Sequence, residues 1–144
     1  MDRLVQKLVD EIQAEQDQQS VDSRRFVEEQ KIRREMAPRL WNELREWLKQ
    51  ACTDAVVGGR PVFRFAVGSN LEAVISRNDK PISIEINFSQ DAQRVFYECG
   101  AGRGEYLVQI NSDATVSLST PYHQPFSVPE VGYKLLELLK RSNF

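Results

Sequence analysis

The spacing of apolar residues along the chain changes character twice. Leu4, Val5, Leu8, Val9 and Ile12 recur at helical spacing and form one apolar stripe. The stripe fades into Gln13, Gln16, Gln18, Gln19 and Ser20, and Asp22 or Ser23 then offers a side-chain acceptor able to cap a new helix. The pattern predicts a break or weakened turn near 19–22. From Arg24 onward, Arg24/Glu28, Arg25/Glu29, Glu29/Arg33, Lys31/Glu35 and Glu35/Arg39 stand four residues apart with opposite charge. Each such pair supports an exposed helix by about 0.2–0.5 kcal/mol. Pro38 interrupts the pattern, because inside a helix it removes a hydrogen bond at a cost of about 3 kcal/mol. Beyond it Leu40, Trp41, Leu44, Trp47, Leu48, Ala51, Cys52 and Ala55 make a wide apolar face suited to packing on a sheet. Gly58-Gly59, followed by Pro61, reads as the stop of this helical segment.

After Pro61 the period falls to two. Phe63, Phe65 and Val67 share one strand face, and Leu71, Ala73 and Ile75 share another. Gly68-Ser69-Asn70 between them fits a short hairpin loop in which Val67 opposes Leu71. Arg77 to Pro81 is turn chemistry, and Ile82, Ile84, Ile86 and Phe88 then alternate with polar residues. Further strands follow around Val95–Cys99, Tyr106–Ile110 and Val116–Leu118. No crossover helix is available to join parallel neighbours, so the connections predict an antiparallel meander of five to six strands. A final helix starts at Ser127, which stands in capping-box spacing with Glu130; Val128, Val131, Leu135, Leu138 and Leu139 form its apolar face. The fold class expected is α+β: a long N-terminal helical segment, kinked or broken, the meander, and a C-terminal helix packed on the sheet. Residues 1–22 are expected to form a helical arm and residues 23–144 a single α+β domain.

Composition narrows the class without naming a function. The 144 residues are 41% hydrophobic and 28% charged, ordinary for one globular domain. Nineteen basic and twenty-one acidic residues leave a net charge of −2, which lacks the basic excess of a nucleic-acid binder. The basic residues Arg24, Arg25, Lys31, Arg33, Arg34 and Arg39 are interleaved with Glu28, Glu29 and Glu35, the pattern of a solvated helix face. Cys52 and Cys99 are the only cysteines and make neither a disulfide framework nor a zinc-ligand set. The first residues lack the pattern of a signal peptide, and no run approaches the length of a membrane span. The expectation is a cytoplasmic protein with no membrane or nucleic-acid partner, no cofactor and no metal.

Two places could hold a ligand. Gly100-Ala101-Gly102-Arg103-Gly104 lets backbone amides approach an anion, with Arg103 available to pair with it. However, its spacing matches neither phosphate-loop pattern, and it leads into a strand rather than opening a helix. His123, the only histidine, lies between Pro121 and Pro125 and has no companion motif for acid–base work. Gly100, Gly102, Arg103, Gly104 and His123 are the ligand-site candidates, and no catalytic residue is assigned. Glu72, Glu85, Glu98 and Glu105 are strand carboxylates with no inferable pairing, and neither cysteine carries a signature of reactivity.

The remaining signal is amphipathic. Leu4, Leu8 and Ile12 lie far in sequence from the sheet, and an isolated helix of that length is marginal in water. A continuous helix over residues 1–57 would be about 85 Å long at 1.5 Å per residue, against a radius of gyration of about 15 Å for a compact chain of this size. Either the chain folds back near 19–22 or the arm pairs with another chain; the charged stretch between favours self-association. The best reading is a small non-catalytic interaction or oligomerisation module, homodimeric or bound to a protein partner, through Leu4, Leu8 and Ile12. The alternative is a ligand-binding or enzymatic domain with a pocket between sheet and helices.

Overall fold

The computed structural model describes residues 2–100, 102–111, 113, 115–122 and 124–141. The protein is α+β: helix α1 (Arg3–Asp54), a small hairpin β1 (Val56–Val57) and β2 (Arg60–Pro61), a seven-stranded sheet, and helix α2 (Val128–Arg141). The sheet comprises β3 (Phe63–Ala66), β4 (Glu72–Arg77), β5 (Ser83–Ser89), β6 (Arg94–Cys99), β7 (Gly102–Ile110), β8 (Val116–Ser119) and β9 (Pro125–Phe126). Its spatial order equals its chain order and every pairing is antiparallel, as the short turn-rich connections require. The chain divides into two compact units that meet between Ile32 and Arg33.

In the first unit the helix runs through residues 19–22 without a break, so the chain does not fold back there. The glutamines that weaken the apolar stripe are the reason. Gln13 donates to Asp17 at 3.1 Å and Gln18 donates to Asp22 at 3.0 Å, both across one helical turn. Amide-to-carboxylate bonds at this spacing stabilise a helix much as ion pairs do. Asp22, a candidate cap from sequence, spends its carboxylate on Gln18 instead. The true cap is Asp2, whose Oδ1 accepts from the Leu4 amide at 2.9 Å. Of the charged pairs, Arg25 and Glu29 close at 3.3 Å.

In the second unit Pro38 lies inside the helix and does not end it. Ala37, Leu40, Trp41, Leu44, Leu48 and Cys52 are buried from this segment. Burial of a large apolar side chain contributes about 1.5–3 kcal/mol, so a few such residues offset the cost of one proline. These residues, with Val131, Leu135 and Leu139 of α2, pack on the inner sheet face formed by Ala73, Ile75, Ile84, Ile86, Val95, Val108 and Leu118. The alternation of β5 is clean: Ile84, Ile86 and Phe88 are buried, while Glu85 and Asn87 are exposed. Trp41 stacks on Phe88 with ring centres 5.7 Å apart, and its indole N–H donates to the Asn70 carbonyl at 2.7 Å.

Several turns differ from expectation. The helix ends at Asp54, and Gly58-Gly59 forms the tip of the β1–β2 hairpin, with φ of 59° and 77°. Positive φ at both central residues is the two-residue turn that matches strand twist, which glycine adopts without penalty. The hairpin is tied down by the Val62 amide donating to the Ala55 carbonyl at 2.9 Å and by Asn78 Nδ2 donating to the Pro61 carbonyl at 2.9 Å. In the β3–β4 pair Phe65 opposes Ile75 and Ala66 opposes Val74, so Val67 does not oppose Leu71. The shift is two residues, which leaves each side chain on its expected face. Strand β9 has no signature in the sequence, because two residues are too few to show a period. At α2 the Glu130 amide donates to Ser127 Oγ at 3.3 Å, but the Glu130 carboxylate accepts the Ser127 hydroxyl at 3.0 Å rather than the backbone N–H of Ser127.

Gly132 explains how α2 approaches α1. A Cβ built on it would fall under 3.0 Å from the Trp47 ring, so the glycine makes room for the indole. Leu44→Ala and Leu135→Ala should each lower stability by about 2–5 kcal/mol, measured by urea denaturation. Gly132→Ala is the sharper test. Alanine favours a helix interior by about 0.8–1.0 kcal/mol over glycine, yet overpacking costs about 1–3 kcal/mol. The substitution should therefore destabilise the parent and stabilise a Trp47→Ala background.

Candidate functional site

The hydrophobic core lies between the sheet and the helices. Leu44, Leu48, Ile75, Ile84, Ile86, Leu118, Leu135 and Leu139 are inaccessible to solvent there. Tyr97, Tyr106 and Phe126 fill the region beside β7, with Tyr106 and Phe126 edge to face at 6.2 Å and Lys134 Nζ 4.8 Å from the Phe126 ring centre. A surface groove of about 440 Å³ lies between the β1–β2 hairpin and residues 77–79. Its Arg77 guanidinium is held by Asp79 at 2.6 Å, and that bond pulls the Asp79 carboxyl below its ordinary range. The arginine is thus occupied by its own chain.

The glycine-rich segment is a strand hairpin. Cys99 pairs with Gly102, and Gly102, Arg103 and Gly104 are the first residues of β7. Gly100 precedes them at the turn, and Gly102 has a φ of 144°. Gly104 lies under Tyr97 on the neighbouring strand: a Cβ there would fall under 3.0 Å from the tyrosine's ring and hydroxyl. The glycine accommodates an aromatic side chain, a close approach known to stabilise sheet glycines. Arg103 is exposed and stands opposite Glu98, which in turn stands opposite Glu85. Any anion brought to Arg103 would meet two carboxylates in the same row. His123 lies outside the described residues.

The cysteines have different settings. Cys52 is buried, and burial pushes its thiol up to about 11. It is protonated and unreactive at neutral pH. Cys99 is half-buried on the inner side of β6. Among the described residues no group of three or more His, Cys, Asp or Glu side chains could hold a metal ion, and no helix is long and apolar enough to cross a membrane.

The N-terminal unit has a different surface. Residues 2–28 are exposed throughout, including Leu4 at 75%, Leu8 at 55%, Ile12 at 45% and Phe26 at 62%. Val5, Val9, Ile12, Gln16, Gln19, Ser23, Phe26 and Gln30 follow one another at alternating spacings of four and three residues. On a helix of 3.6 residues per turn this is one continuous seam within an arc of roughly 100°. None of the charged residues between Asp2 and Lys31 falls on it, although charges crowd the remainder of the helix surface. Leu8 borders the seam and Leu4 lies one turn before Leu8. Leu8 and Ile12 mark the apolar end of this face, and uncharged polar residues carry it on to Phe26. Exclusion of charge, rather than apolarity, is the signal that marks the extension.

Compared with family models, with curated proteins and with solved structures, the chain matches none of them.

The buried hydroxyl and thiol groups set an alkaline limit on the fold. Burial raises Cys52 from 9.0 to about 11 and Tyr106 from 10.0 to about 12, and Tyr97 is raised by the same cause. The folded state therefore holds these protons more tightly than the unfolded chain. Stability should be fully present below pH 9 and fall as pH rises through 9 toward 12. Urea denaturation from neutral pH upward measures this, and Cys52→Ala should remove the earliest part of the decline.

Proposed function

We propose that the protein is a non-catalytic interaction module whose N-terminal helix carries the contact surface. The supporting observation is the charge-free seam of the first unit, exposed along a helix whose other faces are dense with charge. A face that serves only solvent has no reason to exclude charge over several turns, whereas a face that is covered does, since an unpaired charge is costly to desolvate. The apolar sheet–helix interface gives the second unit the character of a folded platform and supports this reading over a ligand-binding or enzymatic one.

Site-specific photocrosslinking in the cells from which the chain comes tests this. Benzoylphenylalanine at positions 12, 19 and 26 should yield covalent protein adducts, whether to this chain or to another, several-fold more often than at positions 10, 17 and 24 on the charged side. Equal yields from the two sets would refute the proposal.

A further inference from the structure

We infer that the seam pairs with the same seam of a second copy of this chain, parallel and in register. The inference rests on the interaction reading and names its partner. In-register pairing sets every seam residue against its own counterpart, so a charge at any seam position would meet its like. A different partner could neutralise such a charge with the opposite one, so its cover would exclude charge less strictly than self-pairing does. The seam from Val5 to Gln30 obeys the rule throughout; the seam positions just beyond its two ends are charged, Asp2 as the helix cap and Arg33 as the residue that opens the second unit.

The polar members fit the same geometry. The amides of Gln16, Gln19 and Gln30 and the hydroxyl of Ser23 each offer both a donor and an acceptor, so each can hydrogen-bond to its own copy. Polar residues at seam positions of a two-helix pair fix register and direction at some cost in affinity. Val5, Val9, Ile12 and Phe26 supply the apolar contact at the two ends of the polar stretch.

The flanks decide direction. One side of the seam carries Glu15, Asp22 and Glu29 at heptad spacing; the other carries Gln6, Gln13, Ser20 and Val27. Antiparallel helices bring like flanks together, which would align the acidic rows. Parallel helices bring opposite flanks together, so Glu15 and Asp22 face the uncharged Ser20 and Val27 of the other copy rather than another acidic row. The charge distribution selects the parallel pair.

The experiment uses the full chain and two exposed seam variants, Gln19→Lys and Gln19→Glu. Light scattering of the parent at high micromolar concentration should give twice the 16.6 kDa of one chain. Each variant alone should fall to the mass of one chain, because position 19 then meets a like charge. An equimolar mixture of the two should recover the doubled mass, because lysine then meets glutamate. Circular dichroism of each variant, matching the parent, separates loss of pairing from loss of fold. A parent of single-chain mass, or a mixture that stays at single-chain mass, would overturn the inference. In either case the photocrosslinking result still decides the interaction reading, since adducts to another protein would uphold it and the pairing alone would fall.

Discussion

The second unit is organised around Trp41. Its ring is 1% exposed, stacks on Phe88 of β5, and directs its indole N–H to the Asn70 carbonyl in the β3–β4 connection. Arg45 Nη1, one turn further along α1, donates to the same carbonyl at 2.8 Å. Both lone pairs of that oxygen are thereby used, and one turn of helix is fixed to two separate parts of the sheet. The buried indole nitrogen, which would be costly without a partner, becomes a positional constraint. Pro38 is tolerated three residues earlier because this attachment, not the local hydrogen-bond ladder, holds the helix in place.

Most of the sheet was legible because its strands are half-buried, and half-burial writes itself as alternation. Ile82 to Phe88 is the clearest case. The connections were less legible. Gly58-Gly59 fits a helix stop or a hairpin tip equally well, and only the pairing of Val57 with Arg60 distinguishes them. The expected interruption at 19–22 failed for a related reason. Glutamine and aspartate are individually poor markers of a helix interior, but Gln13 with Asp17 and Gln18 with Asp22 act as pairs, and pairwise terms vanish when residues are judged singly.

The candidate surface was legible only at its apolar end. Leu8 and Ile12 announce themselves, whereas Gln16, Gln19 and Ser23 look like solvent-facing residues until charge is mapped around the helix. A seam of uncharged polar groups gives a weaker and more reversible contact than one of leucines, because each buried amide must recover the hydrogen bonds it gave up to water. The glycine-rich segment shows the opposite case. Gly102 and Gly104 look like a phosphate cradle in sequence, but Gly104 serves the packing of Tyr97, a long-range neighbour that local spacing does not reveal.

The two outer strands of the meander bear on how the protein behaves when crowded. Strand β9 is two residues long, and Pro125 has no N–H to offer a further strand. Strand β3 is four residues long and presents exposed Arg64. Short edges carrying proline or a cation resist the addition of a foreign strand, which is how open sheets escape templated fibril growth. The sheet is thus poorly equipped to recruit another chain by backbone pairing, which closes one common route to amyloid.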